Sequence, residues 1–182
     1  MHKPLPDCKI DFDFFTKAEY PEATSCTKHQ LHELKDIHDD YGGFPESYNF
    51  QNTQIRQKWW TEDEVDFKHI GDQIGMDVVT LSSILQPPGC TIPWHRDTFY
   101  LIKKNHAYKL EQGKRPVRAL CMAEDWQMGH FVQMMDDVWT HWKQGQVYVF
   151  DEECLHLGAN CGFKNKFTLQ ISGFLHDDIP AK

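Results

Sequence analysis

The sequence predicts a mainly β protein with flanking helices, in which an antiparallel sandwich or barrel follows a helical N-terminal part. Helical patterns dominate residues 1–76, and short β-branched segments dominate residues 77–176. No long helical pattern separates those segments, which is typical of sandwiches and barrels. A chain of 182 residues suits one domain with a full apolar core, so we expect residues 1–182 to form a single domain.

Two helices are predicted in the N-terminal part. Residues 24–43 begin with a Thr/Ser cap and space their apolar side chains on one helical face. Residues 59–75, WWTEDEVDFKHIGDQIG, contain a capping box in which Thr61 caps the backbone and Glu64 reaches back to it. We expect this second helix to end at Gly75.

Strand-length segments dominate the second part. They are DVVTLSSIL, VRALCMAED, GHFVQMMDD, GQVYVFD and KFTLQISGFL, separated by Gly, Asp or Asn. Residues 98–116 interrupt them with a polar, lysine-rich stretch of weak periodicity. Because long loops within compact domains often cover active sites, the position of this stretch predicts a lid.

Composition excludes several classes of function. The formal net charge of -8 repels phosphate backbones, so we expect no nucleic-acid partner. No run of eighteen apolar residues predicts a membrane span, and the N-terminus lacks the apolar region of a signal peptide. The six scattered cysteines form no CxxC pair, which favours reduced thiols in a cytoplasmic protein, although their even number leaves disulfides open. The sequence does not indicate an oligomeric state.

The segment TIPWHRDTFY, residues 91–100, contains half of a possible metal site. In an extended chain, His95 and Asp97 point to the same side and can bind one cation. A transition metal needs a third ligand, and His156, just beyond the strand GQVYVFD, is the best candidate. Two histidines and one carboxylate form the facial triad of non-haem Fe(II) oxygenases, which leaves positions open for cosubstrate and dioxygen.

Four segments in a fixed order resemble the 2-oxoglutarate- and Fe(II)-dependent oxygenases: QPPGCTIPWHRD, VRALCMAEDW, WKQGQVYVFDEECLHLGAN and KNKFTLQIS. The branch that looks nearest contains aspartyl/asparaginyl β-hydroxylases and prolyl or amino-acid hydroxylases. The resemblance covers residues 78–175 and implies a double-stranded β-helix, or cupin-like jelly roll, over residues 77–176. It also implies hydroxylation of a C–H bond in an amino-acid or peptidyl substrate, with release of succinate and CO2.

The resemblance assigns roles to particular residues. It makes the two histidines and the aspartate above the ligands of Fe(II). Lys166, ten residues after the distal histidine, takes the position that binds the far carboxylate of 2-oxoglutarate. Arg118 takes a position that contacts cosubstrate or substrate, with an exposed guanidinium at a strand end as the alternative. The remaining candidates are Thr168 and Ser82 for cosubstrate binding and Trp94, Phe99 and Tyr100 for the wall of the substrate pocket.

Two alternative functions remain open. A cupin-type isomerase or hydrolase would use a divalent metal without 2-oxoglutarate, although cupins usually carry denser ligand pairs such as HxH. A non-catalytic jelly roll that binds sugar or peptide would use His95 and Asp97 only as hydrogen-bonding groups.

Overall fold

A computed structural model describes residues 2–27, 38–39, 43 and 45–176. Most of the predicted helix over residues 24–43 lies outside these ranges. At its predicted start, Thr24–Ser25 form a short strand instead. In the parts of the chain that are described, no helix has the length and apolarity needed to cross a membrane. The six cysteines are free thiols, and all but Cys161 are buried.

The described residues form eleven strands in two sheets. These are β1 (His2–Leu5), β2 (Thr24–Ser25), β3 (Gln54–Trp60), β4 (Met76–Gln86), β5 (Cys90–His95), β6 (Pro116–Met122), β7 (His130–Met134), β8 (Asp137–Trp139), β9 (Val147–Phe150), β10 (His156–Asn160) and β11 (Lys166–Leu175). The larger sheet has the order β1-β9-β6-β11-β4-β3-β2, and the smaller sheet has the order β5-β10-β7-β8.

From β4 onward, the chain passes back and forth between the two sheets. β4, β6, β9 and β11 belong to the larger sheet, while β5, β7, β8 and β10 belong to the smaller one. Every pairing within the sheets is antiparallel. This alternation is a double-stranded β-helix, or jelly roll, which confirms the predicted fold class.

Short helices flank the sheets. They are α1 (Phe12–Thr16), a 3-10 turn (Phe50–Asn52), α2 (Phe67–Ile74), α3 (Tyr100–Asn105) and α4 (Ala107–Glu111). Helix α2 ends at Gly75, as predicted, because that residue adopts the left-handed conformation with a φ of 72°.

The predicted start of α2 is wrong. The Glu64 carboxylate does accept a hydrogen bond of 3.0 Å from the Thr61 backbone N–H, but this bond closes a separate turn. The helix begins at Phe67, where the Asp66 side chain caps it by accepting a bond from the N–H of His69. The residues before the turn belong to β3, so the N-terminal part supplies strands to the larger sheet as well as helices.

The polar stretch over residues 98–116 contains helices α3 and α4 rather than an irregular loop. The ammonium of Lys109 lies 2.8 Å from the Asp77 carboxylate at the start of β4, and Lys103 pairs with Glu152 beyond β9. These two ion pairs attach residues 98–116 to the jelly roll. The role of this stretch as a lid stays a prediction.

The two faces of the larger sheet differ in chemistry. Its outer face is apolar and packs under α1 and α2 through residues such as Leu169 and Ile171 of β11. The inner face joins the smaller sheet, with Leu120 of β6 packed in one cluster with Val132 of β7. Because alternate residues of a strand face opposite sides, positions 166, 168, 170 and 172 of β11 all face inward. These inward residues are polar, and they border the candidate site.

Candidate metal centre

Two histidines from neighbouring strands form one side of the site. His95 is the last residue of β5 and His156 is the first residue of β10. The two residues are direct partners across the antiparallel pair, which places their side chains on the same face. Their ring centroids are 4.1 Å apart, and both side chains are buried.

Asp97 completes the group predicted from the sequence. Its Oδ1 lies 3.9 Å from Nε2 of His95, and its Oδ2 lies 3.9 Å from Nε2 of His156. One ligand atom from each of the three residues falls within 4.8 Å of the others. Within the described ranges, this is the group of three histidine, cysteine or acidic side chains that has a metal-binding geometry.

Backbone carbonyls fix which nitrogen of each histidine faces the site. Nδ1 of His95 lies 2.8 Å from the carbonyl oxygen of Pro93, and Nδ1 of His156 lies 3.0 Å from that of Cys154. A carbonyl oxygen only accepts hydrogen bonds, so each Nδ1 carries the proton and each Nε2 presents a lone pair. Burial, reinforced by the neighbouring His95, lowers the pKa of His156 to about 3, which keeps its ring neutral at ordinary pH.

Asp97 is ionised despite its burial. Burial raises the pKa of this carboxyl group, but the positive charge of Arg118, with further contributions from His156 and His95, lowers the pKa below its usual value. Nη1 of Arg118 lies 3.1 Å from Oδ2, an ion-pair distance, although the angles there are not those of a hydrogen bond. A buried carboxylate oxygen without a hydrogen bond is costly. Two imidazoles and one such carboxylate fit a divalent first-row metal such as Fe(II).

A narrow cavity extends from the two histidines between the sheets. Its polar lining consists of Gln86, Lys166, Thr168 and Gln170. The lining therefore contains Lys166 and Thr168, both predicted to bind cosubstrate. Apolar side chains such as Leu120 and Val132 form much of the remaining wall.

Lys166 places a buried ammonium group at this cavity. Its Nζ donates to the carbonyl oxygens of Phe131 at 3.1 Å and Ala159 at 3.2 Å. Burial lowers the pKa of Lys166 from 10.5 to about 7, against the opposing effect of Glu124. A Cβ at Gly158 would lie 3.3 Å from Nζ, so the glycine leaves space beside the ammonium group.

Arg118 and Ser82 occupy different environments from Lys166. Arg118 is not an exposed guanidinium at a strand end, because it contacts Asp97 and donates to Gln170 of β11. Ser82 is fully buried on β4 and accepts a bond of 2.9 Å from Gln57. It pairs with Gln170 across the sheet and so shares its face, but it does not line the cavity.

The three aromatic candidates are near His95 and Asp97 in the sequence, but they do not line the cavity that is described. Phe99 is buried against Ile102 and Phe174, and Cζ of Arg118 lies 5.7 Å from its ring centroid. Tyr100 is 65% exposed and Trp94 is half-buried. A role for any of them in a substrate pocket stays a prediction.

Two glutamines of the site were not predicted. Gln86 donates to the carbonyl oxygens of Cys90 at 2.9 Å and Gly158 at 3.0 Å, which ties the larger sheet to the smaller one. Gln170 accepts a bond of 3.1 Å from Nη1 of Arg118. Its position two residues after Thr168 on a strand was a usable signal, because residues i and i+2 share a face.

Comparisons with known proteins show the fold. No protein-family model matches the sequence, and no curated protein matches it significantly. AviO1 from Streptomyces viridochromogenes is similar in structure with a TM-score of 0.51 and 15% identity, covering 100% of this chain and 92% of that chain. A Pseudomonas putida prolyl-4-hydroxylase gives a TM-score of 0.48 at 15% identity, with 91% and 97% covered. A viral collagen prolyl hydroxylase from Paramecium Bursaria Chlorella virus-1, solved as a 2OG complex, gives 0.46 at 14%, with 86% and 97% covered. At these identities, the similarity concerns the fold alone.

Proposed function

We propose that the protein is an Fe(II)- and 2-oxoglutarate-dependent oxygenase that hydroxylates a C–H bond of an amino-acid or peptidyl substrate. Succinate and CO2 would be the products formed from 2-oxoglutarate. The observation that carries this proposal is the buried group of His95, Asp97 and His156 beside a cavity that also contains a buried lysine.

The side chains have separate tasks in this reaction. His95 and His156 present Nε2 lone pairs, and Asp97 contributes the negative charge that favours a divalent cation. When bound, Fe(II) would supply the activation of dioxygen that oxidises the substrate C–H bond. The apolar walls of the cavity exclude water from this chemistry.

Lys166 suits the far carboxylate of 2-oxoglutarate. Nζ of Lys166 lies beside Gly158, which is two residues after His156 on β10, roughly 7 Å along the strand. The ammonium group and the metal group therefore lie at separate points of the same cavity. A ligand with a carboxylate at each end can therefore meet a positive charge at both. The Thr168 hydroxyl, which also lines the cavity, is a further donor.

The substrate class and the cellular location extend this proposal. Hydroxylation of an amino-acid or peptidyl substrate follows from the sequence resemblance, with dioxygen and 2-oxoglutarate as the other partners. The six cysteines are thiols, and five of them are buried, which supports a reducing compartment such as the cytoplasm.

An anaerobic titration tests the proposal directly. Adding Fe(II) and then 2-oxoglutarate should produce the weak visible charge-transfer band of a chelated complex. Admitting air should then convert 2-oxoglutarate into succinate. His156→Ala should abolish both signals, whereas His69→Ala, at an exposed position on α2, should keep them. Metal binding without a band or succinate would favour the cupin-type enzyme that works without 2-oxoglutarate. No metal binding would favour a non-catalytic jelly roll.

A further inference from the structure

We propose that Arg118 is a positioning residue that holds the Asp97 carboxylate in its place at the metal centre, rather than a binder of cosubstrate or substrate. This role rests on the proposed function, because it concerns the same centre.

Strand pairing positions the two histidines but not Asp97, so another contact has to fix the orientation of its carboxylate. His95 and His156 are held as partners within an antiparallel pair of strands. Asp97 lies after the last residue of β5 and before α3, so no strand pairing fixes its backbone. Its carboxylate is nevertheless buried and must keep a defined orientation towards both imidazoles.

Arg118 is itself fixed by groups other than Asp97. Its Nε donates to Oγ of Ser172 at 3.1 Å, and its Nη1 donates to Oε1 of Gln170 at 3.1 Å. Both acceptors project from β11, and Ser172 is the direct partner of Arg118 across the sheet. The ring of Phe99 covers the guanidinium from another side. The larger sheet therefore holds this cation in place independently of the carboxylate.

The contact between the two side chains links the sheets. Nη1 of Arg118 lies 3.1 Å from Oδ2 of Asp97, which ties the segment after β5 to β6 of the larger sheet. These side chains are largely shielded from water, so the attraction is stronger than in an exposed pair. Arg118 does not line the described cavity, whereas Lys166 does, so Lys166 is the better placed cation for a cosubstrate carboxylate.

Metal affinity distinguishes this role from a purely electrostatic one. A positive charge beside a cation site repels the metal, so at a pH where Asp97 is ionised with or without Arg118, removal of Arg118 would by itself tighten metal binding. If Arg118 orients a metal ligand, its removal should instead weaken binding. Loss of residues that orient metal ligands typically costs about 10- to 100-fold in affinity. The two roles therefore predict effects of opposite sign.

Calorimetric titration of the whole protein with Co(II) is the test, with the visible d–d absorption of Co(II) as a second readout. We expect Arg118→Met to bind Co(II) about 10- to 100-fold more weakly than wild type and to show the altered absorption of a site without the carboxylate. Arg118→Lys, which keeps the charge, should fall between them. Arg115→Met, at an exposed position three residues earlier, should match wild type.

A double-mutant cycle shows whether Arg118 acts through Asp97. In an Asp97→Ala background, Arg118→Met should weaken Co(II) binding by less than about twofold, because the ligand it positions is gone. Binding of Co(II) by Arg118→Met at wild-type affinity or tighter would overturn the proposed role, and so would a loss that persists in the Asp97→Ala background. Should Arg118→Met not fold, Arg118→Lys and Ser172→Ala replace it, with weaker binding than wild type expected and unchanged binding overturning the role.

The outcomes also separate this role from the proposed function. If the wild-type protein does not bind Co(II), the metal centre and the role of Arg118 both fail. If wild type binds Co(II) and the Arg118 variants bind equally well, only the positioning role fails.

Discussion

Replacing Lys166 with methionine should stabilise the protein more at low pH than at high pH. The side chain is 3% exposed, and burial lowers its pKa from 10.5 to about 7. The folded protein therefore holds this proton less readily than the unfolded chain. Below pH 7 the lysine is charged in both states, and folding bears the full cost of burying the charge, on the order of 5 kcal/mol.

That cost declines as the pH rises from 7 towards 10.5, because the folded protein then carries a neutral lysine. Between pH 6 and pH 9, the free energy of unfolding of the wild-type protein should gain roughly 2–3 kcal/mol from Lys166 alone. Lys166→Met lacks this contribution but shares the other titrating groups. Its stability relative to wild type should therefore be roughly 2–3 kcal/mol greater at pH 6 than at pH 9.

Urea unfolding of both proteins at four pH values between 6 and 9 measures this difference. The corresponding shift between the two melting temperatures is roughly 5–10 °C for a domain of this size. Lys164→Met makes the same change of charge at an exposed position and should give a difference that does not vary with pH. If the Lys166→Met difference were equally flat, Lys166 would not be a buried amine with a pKa near 7.

Three further predictions concern the cavity and the fold. Lys166 loses its proton near pH 7 when no ligand is bound, so the affinity of the metal-loaded protein for 2-oxoglutarate should fall by roughly tenfold per pH unit above pH 7. Calorimetry measures this slope, and Lys166→Met should not show it. Gly158→Ala places a methyl group 3.3 Å from the ammonium group of Lys166, so it should weaken the binding of 2-oxoglutarate. The free energy of unfolding should change by less than about 1 kcal/mol. Unchanged affinity would mean that the ligand binds elsewhere. Gly75→Ala forces a side chain into a backbone with a φ of 72° and should cost about 1 kcal/mol in urea unfolding, with the metal affinity unaffected.

The strands that sequence patterns predicted are those whose residues fit the rules for strands without conflict. β4 and β11 are long and rich in branched apolar residues, and they pair with each other over their whole length. By contrast, β1 and β5 contain Pro4 and Pro93, and proline argues against a strand. Both strands lie at the edge of a sheet, where a missing backbone donor is tolerated. Proline is tolerated in an edge strand, but the sequence does not show which strands lie at the edge of a sheet.

Strand β3 was missed for a different reason. Arg56 and Lys58 give it the polarity of a loop, and its residues do not alternate cleanly between apolar and polar. It is nonetheless a strand because it pairs with β4, and only its ends bury large apolar side chains, at Ile55 and Trp60. Long-range pairing therefore determines its structure, which local propensity cannot reveal.

Part of the candidate metal group was accessible from sequence because it depends on a short spacing. His95 and Asp97 are two residues apart at the end of one strand, and the structure brings His156 next to them as predicted. The ion pair between Arg118 and Asp97 was not predictable in the same way. It connects β6 of the larger sheet with the segment after β5 of the smaller sheet, and only the packing of the two sheets brings these residues together.

The separation of the two cations has a consequence for the cosubstrate. The sequence offered Arg118 and Lys166 as two positive charges for one ligand. In the structure Arg118 already lies against the Asp97 carboxylate, and Lys166 is the cationic side chain of the cavity lining that is described. A dianionic ligand bound there would have one carboxylate matched by Lys166, and its second charge would require the metal. Binding of 2-oxoglutarate should therefore depend on metal to a greater extent than binding of a monocarboxylate that reaches only Lys166.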